Sequence, residues 1–159
     1  MKPEVGTLAP SIRAQAIGGP LGPAREITLD EFRGRPVVLY FYPKDSTPGC
    51  TIQACALRDG WDGIKDRAMV IGVSADTIAS HGKFQAKRAL PFALISDPDK
   101  SIATAYGVWV QKSFLGKKFM GIERSTFVIG ADGTIAAVLE KVSPTQHLGL
   151  LHAALDALP

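Results

Sequence analysis

Residues 37–59, VVLYFYPKDSTPGCTIQACALRD, contain the pattern that decides the fold. Val37 to Tyr42 form an uninterrupted apolar run that ends at Pro43, which is typical of a central strand covered on both faces. Four residues after this proline, Thr47-Pro48 is typical of a helix start, with Thr47 as N-cap and Pro48 at the first helical position. We therefore predict a buried strand, a short loop, and a helix whose first turn contains Cys50.

The flanking sequence continues this alternation of strands and helices. Further strands are predicted near residues 11–17, 25–28, 69–73, 92–95, 126–129 and 134–139. Short helices are predicted over residues 29–32 and from Asp97. Further helices are predicted to start at Asp76 or Thr77 and at Ser143. The apolar stripe of the Cys50 helix extends through Ala54, Leu57, Trp61, Ile64 and Ala68. Residues 114–120 are predicted to be a loop. This order predicts a single α/β domain over residues 1–159, a thioredoxin-like three-layer sandwich with a central mixed β-sheet flanked by helices.

Composition excludes several classes of function. The 159 residues are 46% hydrophobic and 21% charged, which is typical of a globular protein, and the net charge is +3. The basic residues are scattered, so we expect no nucleic-acid partner. Because no apolar run approaches the roughly 20 residues of a membrane helix, and no signal peptide is evident, we expect no membrane association and a cytoplasmic location. Two cysteines are too few for a disulfide framework, so they need a chemical explanation.

The two cysteines lie in the same predicted helix. In its first turn, unpaired N–H groups and the helix dipole favour the thiolate of Cys50, which is the nucleophilic form. The alternative is that Cys50 is simply a small buried hydrophobe. Cys55 follows five residues later, which in an ideal helix separates the two Cα atoms by about 8.7 Å. A disulfide needs roughly 4.4–6.8 Å. The pair is therefore either two unrelated thiols or a redox switch that opens the helix when oxidised.

A family resemblance favours the switch. Pro43, Thr47 and Cys50 form the motif Pro-x-x-x-Thr-x-x-Cys. The stretch from residue 40 to 59 resembles the active site of the peroxiredoxins, specifically the bacterioferritin comigratory protein (peroxiredoxin Q) subfamily. The similarity continues through GVSAD (72–76), LISDPDK (94–100), YGVW (106–109), KSFLGKKFMGIERSTFVI (112–129) and ADG (131–133), so it spans nearly the whole chain.

The resemblance implies a role for each matching position. Cys50 matches the peroxidatic cysteine, whose thiolate attacks a hydroperoxide and becomes a sulfenic acid. Thr47 matches the residue whose hydroxyl hydrogen-bonds the thiolate and the peroxide, and Pro43 matches the proline that shields the thiolate from water. Arg124 matches the family's active-site arginine. The role implied for it is physical: a fixed guanidinium stabilises both the thiolate and the charge that moves across the O–O bond.

Three further positions complete the predicted site. Backbone N–H groups near Gly49 and Cys50 are expected to bind the attacked peroxide, as an oxyanion site does. Gln53, one turn after Cys50, either supports the site by hydrogen bonding or is a solvated helix residue. Cys55 matches the resolving cysteine, which implies an intramolecular Cys50–Cys55 disulfide that thioredoxin or a similar dithiol reduces.

The predicted function is a thiol-dependent peroxidase that reduces hydrogen peroxide and organic hydroperoxides in antioxidant defence. It needs no metal, haem or flavin, and none of His81, His147 and His152 has a ligand-like spacing to a cysteine. The subfamily resemblance implies a monomer. One alternative is a thioredoxin-type dithiol–disulfide oxidoreductase, although such enzymes use Cys-x-x-Cys. The other is a non-enzymatic thioredoxin-fold binding module whose cysteines are passive.

Overall fold

Nine strands and four helices form the protein, and the computed structural model describes all 159 residues. The strands are β1 (Arg13–Ile17), β2 (Arg25–Thr28), β3 (Val37–Phe41), β4 (Met69–Ser74), β5 (Ala93–Ser96), β6 (Trp109–Phe114), β7 (Lys117–Ile122), β8 (Ser125–Ile129) and β9 (Ile135–Leu139). The helices are α1 (Pro48–Asp59), α2 (Ile78–Arg88), α3 (Ser101–Ala105) and α4 (His147–Asp156). None of them has the length and hydrophobicity that crossing a bilayer requires.

Seven strands form one mixed sheet in the order β2-β1-β5-β4-β3-β8-β9. The central strands β3, β4 and β5 are parallel, and every other neighbouring pair is antiparallel. Parallel neighbours need a crossover, which α1 supplies between β3 and β4 and α2 supplies between β4 and β5. The predicted mixed central sheet is confirmed.

The sheet separates two apolar cores. β3 is buried along its whole length, and its alternate residues face opposite cores. Val38 and Tyr40 pack in the core that contains residues of α1, α2 and α4. Leu39 and Phe41 pack in the other core, together with residues of α3. The predicted three layers, helices on both faces of the sheet, are confirmed.

Helix α1 is shorter than its apolar stripe suggested. It ends at Asp59, with Gly60 as C-cap, and Trp61–Gly63 form a separate 3-10 turn. Ile64 is still fully buried, so the stripe beyond Gly60 reflects packing of a turn and not a continuing helix. A side chain at position 60 would also meet Leu148 of α4, because a Cβ there would lie 2.8 Å from its Cδ2 atom. The close approach of α4 therefore favours glycine at this helix end.

The segment predicted as a loop near residues 114–120 is a β-hairpin. Strands β6 and β7 pair only with each other, with Phe114 opposite Lys117. Leu115 and Gly116 make the two-residue turn, and both have positive φ (51° and 79°), as a type I′ turn requires. Phe114 and Leu115 are largely exposed at its tip. The loop prediction was wrong because clustered lysines masked the strand pattern.

Candidate active site

Cys50 lies in the first turn of α1, immediately after the loop that leaves β3. Its side chain is almost completely buried, with 2% exposed, on the face that packs towards Tyr40 and Ala54. The N–H groups of Gly49 and Cys50 make no backbone hydrogen bond, whereas the Thr51 N–H bonds to the Thr47 carbonyl oxygen. The helix start thus directs two free donors to the neighbourhood of the sulfur.

The sheet register brings Arg124 to the same place. Ser125, the first residue of β8, pairs with Phe41, the last residue of β3, so Arg124 lies beside the loop that leads to Cys50. Its Nη1 atom lies 3.4 Å from the Cys50 Sγ and donates to it. The backbone carbonyl of Arg124 accepts a hydrogen bond from the Val142 N–H, which holds this segment from behind. A cation therefore faces the sulfur from a rigid position.

Gly49 allows this approach of the guanidinium. A Cβ at position 49 would lie 3.1 Å from Arg124 Nη2 and 3.5 Å from Pro144 Cγ. The 3.1 Å contact is tighter than most real Cβ contacts, so any larger residue would require Arg124 to shift by a few tenths of an ångström. The space next to Gly49 is already filled by the arginine.

Thr47 occupies the N-cap position but does not cap the helix with its side chain. Its backbone is extended (φ −80°, ψ 155°), as an N-cap requires, yet no backbone N–H of α1 bonds to its hydroxyl. The hydroxyl donates instead to the Lys44 carbonyl oxygen, at 2.8 Å. Its oxygen lone pairs stay available as acceptors on the outer side of the helix start. Pro43, half-buried, lies two residues after the end of β3.

A chain of hydrogen bonds extends from the guanidinium into the core. Arg124 Nη1 also donates to Gln53 Oε1, at 2.7 Å. The Gln53 amide nitrogen lies 3.0 Å from His147 Nδ1, and His147 Nε2 lies 2.8 Å from Thr126 Oγ1. Gln53 and His147 are each 1% exposed. The alternative that Gln53 is a solvated helix residue is therefore wrong, and His147, for which the sequence predicted no role, belongs to the same buried network.

Burial also determines the charge of His147. Desolvation, with a smaller contribution from the Arg124 cation, lowers the pKa of His147 from its usual 6.5 to about 4. The imidazole is thus neutral at physiological pH. The hydroxyl of Tyr40, whose ring centroid lies 5.6 Å from that of His147, is buried without a hydrogen-bond partner. Burial and the nearby Cys50 and Asp45 raise the pKa of Tyr40, which therefore also stays neutral.

Cys55 lies one and a half turns further along α1 and is partly exposed. Both cysteines are free thiols in an unbroken helix. The structure thus corresponds to the reduced form of the pair. With α1 intact, the ideal-helix separation of about 8.7 Å between their Cα atoms keeps them apart.

The loop between β3 and α1 is anchored by a second buried network, which the sequence did not predict. The Asp45 carboxylate lies 2.7 Å from His81 Nδ1 and accepts hydrogen bonds from Tyr42 and Ser80. His81 Nε2 faces the Ile95 carbonyl oxygen, at 2.8 Å. Because a carbonyl only accepts, Nε2 carries a proton that it donates to Ile95, and one further proton lies between Nδ1 and the Asp45 carboxyl group. Although burial opposes its ionisation, the contacts with His81, Tyr42 and Ser80 lower the pKa of Asp45 overall.

A cleft of about 490 Å³ opens on the outer side of Arg124. Lys112 and Lys141 line it together with Glu123 and the apolar side chains of Val110 and Val142, while Cys50 does not. The Lys112 ammonium donates to the Ile122 carbonyl oxygen. Burial and the nearby Arg124 lower the pKa of Lys112. The surface next to the site is thus cationic, with apolar patches.

These features define a class of protein. A buried cysteine at a helix start, with a guanidinium on its sulfur and free N–H donors beside it, is typical of an enzyme that uses a thiolate as its nucleophile. The comparisons identify that class more closely. Residues 5–138 match the AhpC/TSA family, and the chain belongs to that family.

Individual relatives cover nearly the whole chain. A putative peroxiredoxin Bcp of Coxiella burnetii is 44% identical over 149 residues, which are 93% of this chain and 95% of the relative. Peroxiredoxin Bcp of Bacillus subtilis is 41% identical over 146 residues, with 91% and 90% covered. The bacterioferritin comigratory protein of Xanthomonas campestris, studied for its alkyl peroxide reduction activity, superposes with a TM-score of 0.82 at 35% identity, covering 92% of this chain and 90% of that one.

These matches confirm the thioredoxin-like fold, the peroxiredoxin family and thiol-dependent peroxidase activity. They favour the peroxidase over the two alternatives, the dithiol–disulfide oxidoreductase and the passive binding module.

Proposed function

We propose that Cys50 is the peroxidatic cysteine. Its thiolate attacks one oxygen of a hydroperoxide, the O–O bond breaks, and the sulfur is oxidised to a sulfenic acid while the other oxygen leaves as an alcohol or water after taking up a proton. The observation that carries this assignment is the 3.4 Å contact between Arg124 Nη1 and Cys50 Sγ. A fixed cation at that distance favours the thiolate over the thiol.

The neighbouring groups suit the transition state. The free N–H groups of Gly49 and Cys50, together with Arg124, would stabilise the charge that develops on the two peroxide oxygens. Because the Thr47 hydroxyl donates its own proton to Lys44, its oxygen would accept the O–H of the bound hydroperoxide. Pro43, which has no N–H and is half-buried at the end of β3, would limit water access to the thiolate.

Cys55 would resolve the sulfenic acid. Its thiolate attacks the Cys50 sulfur, a disulfide forms, and the sulfenic oxygen leaves as water after protonation. Since an intact α1 holds the Cα atoms about 8.7 Å apart, the first turns of the helix must unravel before the disulfide can close. That local opening breaks the contacts of Gln53 with Arg124 and His147.

Thioredoxin or a similar dithiol would then reduce the disulfide by thiol–disulfide exchange, which returns both cysteines to the thiol form. The partly exposed position of Cys55 supports this step, because an incoming thiolate must reach one sulfur of the disulfide. The lysines and apolar groups next to Arg124 are compatible with both hydrogen peroxide and organic hydroperoxides as substrates. The alkyl peroxide reduction of the Xanthomonas relative supports the latter.

The chain would act as a single thioredoxin-like domain over residues 1–159, since one continuous seven-stranded sheet uses strands from residue 13 to residue 139. The monomeric state and the cytoplasmic location expected from the sequence stay predictions.

Two serine variants test the proposed roles. Cys50→Ser should abolish peroxide consumption, while Cys55→Ser should consume one equivalent of peroxide per chain and then stop in the presence of thioredoxin and its reductase. The two replacements are chemically matched, so a difference between them reports the different roles of the two sulfurs. Wild-type peroxide consumption by Cys50→Ser would overturn the assignment.

A further inference from the structure

In the hydrogen-bond chain from Arg124 to Thr126, the chemistry of the side chains permits only one assignment of donors and acceptors. A guanidinium only donates, so the Gln53 atom next to Arg124 must be the amide oxygen, and the amide nitrogen faces His147. An amide nitrogen also only donates, so His147 Nδ1 must accept and carry no proton. The ring proton is then on Nε2, and it is donated to Thr126 Oγ1.

We propose that His147 and Thr126 are positioning residues of the peroxidase reaction, which hold the Gln53 amide so that its oxygen keeps Arg124 Nη1 on the Cys50 sulfur. Neither residue touches the substrate. The proposal rests on the assignment of Cys50 as the peroxidatic cysteine, and it adds a function to α4 and to the buried face of β8.

The Gln53 amide has a second possible orientation, which His147 excludes. If the Gln53 amide turned over, its N–H₂ group would face the guanidinium, donor against donor, and Arg124 would lose its 2.7 Å contact. An acceptor at the position of Nδ1 prevents this rotation. Thr126 in turn orients the imidazole, because its hydroxyl oxygen receives the Nε2 proton. The other groups near His147 are Tyr40, whose hydroxyl makes no hydrogen bond, and Arg124, whose guanidinium only donates.

The hydrogen-bond chain Arg124–Gln53–His147–Thr126, here called the relay, can be tested by isolating the first step of the reaction. In the Cys55→Ser background, the rate at which Cys50 reacts with hydrogen peroxide is measured by single-turnover mixing, at neutral pH. His147→Asn places an amide oxygen where Nδ1 stood and should keep the rate close to that of the unmodified background. His147→Gln places its amide near the Nε2 position, removes the acceptor, and should slow the reaction by about 10-fold, the value of one lost hydrogen bond. Thr126→Val should slow it in the same direction.

A double variant separates positioning from packing. Once Gln53 is replaced by Leu, the relay no longer reaches Arg124, so adding His147→Gln should cause no further loss of rate. His152→Gln, on the same helix but outside the relay, controls for changes in α4 and should leave the rate unchanged. Urea unfolding of each variant verifies that the folded fraction is the same.

The outcomes are distinct. Equal rates for the Cys55→Ser protein with and without His147→Gln, equal losses for His147→Asn and His147→Gln, or additive losses in the double variant would each overturn the positioning role. Those results would leave the role of Cys50 intact, because that role fails only if Cys50→Ser still consumes peroxide.

Discussion

Arg124 Nη1 donates to two atoms of helix α1, the Cys50 sulfur at 3.4 Å and the Gln53 amide oxygen at 2.7 Å. The sulfur and the amide are three residues apart and therefore lie on the same face of the helix. One guanidinium thus joins the proposed nucleophile to the interior of the protein. The contact exists only while α1 is folded, which links the chemistry of Cys50 to the helical state of its segment.

The guanidinium itself is the first target for mutation. We expect Arg124→Gln to slow the reaction of Cys50 with hydrogen peroxide by about 100-fold to 1000-fold, the usual loss when one donor to a developing oxyanion is removed. The stopped-flow rate of the reduced protein measures this. Arg13→Gln is the matched control, because the Arg13 side chain is 73% exposed on β1. Equal rates for both variants would show that Arg124 has no part in the reaction.

Position 49 tests the same contact sterically. Gly49→Ala should displace Arg124, whose Nη2 atom lies 3.1 Å from where the Cβ would be, and slow peroxide reduction. Stability should hold or rise, since alanine favours a helix over glycine by up to about 1 kcal/mol. Gly149→Ala makes the same replacement in α4, where a Cβ would meet nothing within 4 Å, and should leave the rate unchanged. A fully active Gly49→Ala protein would contradict the packing described.

His147 should make stability depend on pH. Its pKa of about 4 in the folded protein lies below the usual 6.5, so the unfolded chain takes up the proton first. Stability therefore falls as the pH drops from 6.5 to 4, by up to about 3 kcal/mol over that window. Urea unfolding at several pH values should show a flatter dependence for His147→Gln than for wild type. Identical slopes would mean that the imidazole is not held neutral.

The Asp45–His81 pair should contribute to stability through the active-site loop. Asp45→Asn removes the carboxylate that accepts from Tyr42 and Ser80 and faces His81, and should lower the unfolding free energy at pH 7 by about 1–3 kcal/mol. Asp30→Asn removes a surface partner of Arg33 and should change stability by less than about 0.5 kcal/mol. Because the pKa of Asp45 is lowered, its contribution is present at neutral pH and is lost as the pH falls below 3.8. Equal stabilities of the two variants at pH 7 would contradict a stabilising role for the Asp45 network.

Local patterns predicted the part of the fold that carries the cysteine. The apolar run from Val37, the proline at 43 and the Thr47-Pro48 helix start are all short-range signals, and β3 and α1 begin where they indicate. Thr77 likewise caps α2 with its side chain, which accepts from the Ser80 N–H. Such elements are determined by neighbouring residues, so the sequence reveals them directly.

Contacts between distant segments could not be predicted in this way. Gln53 and His147 are 94 positions apart, and they meet only because β8 pairs with β3 and α4 packs on α1. Arg124 was identified through the family motif and not through any local pattern. His147 belongs to no such motif, and only the folded arrangement of donors and acceptors distinguishes it from the half-buried His152 on the same helix.

Intact-mass analysis and peptide mapping of the reduced protein, treated with one equivalent of hydrogen peroxide, test the central claim most directly. The account predicts a loss of two hydrogens per chain and a single cross-linked peptide that joins Cys50 to Cys55 within one chain. A chain that keeps an added oxygen on Cys50 while Cys55 stays a free thiol, or a disulfide between two chains, would contradict it.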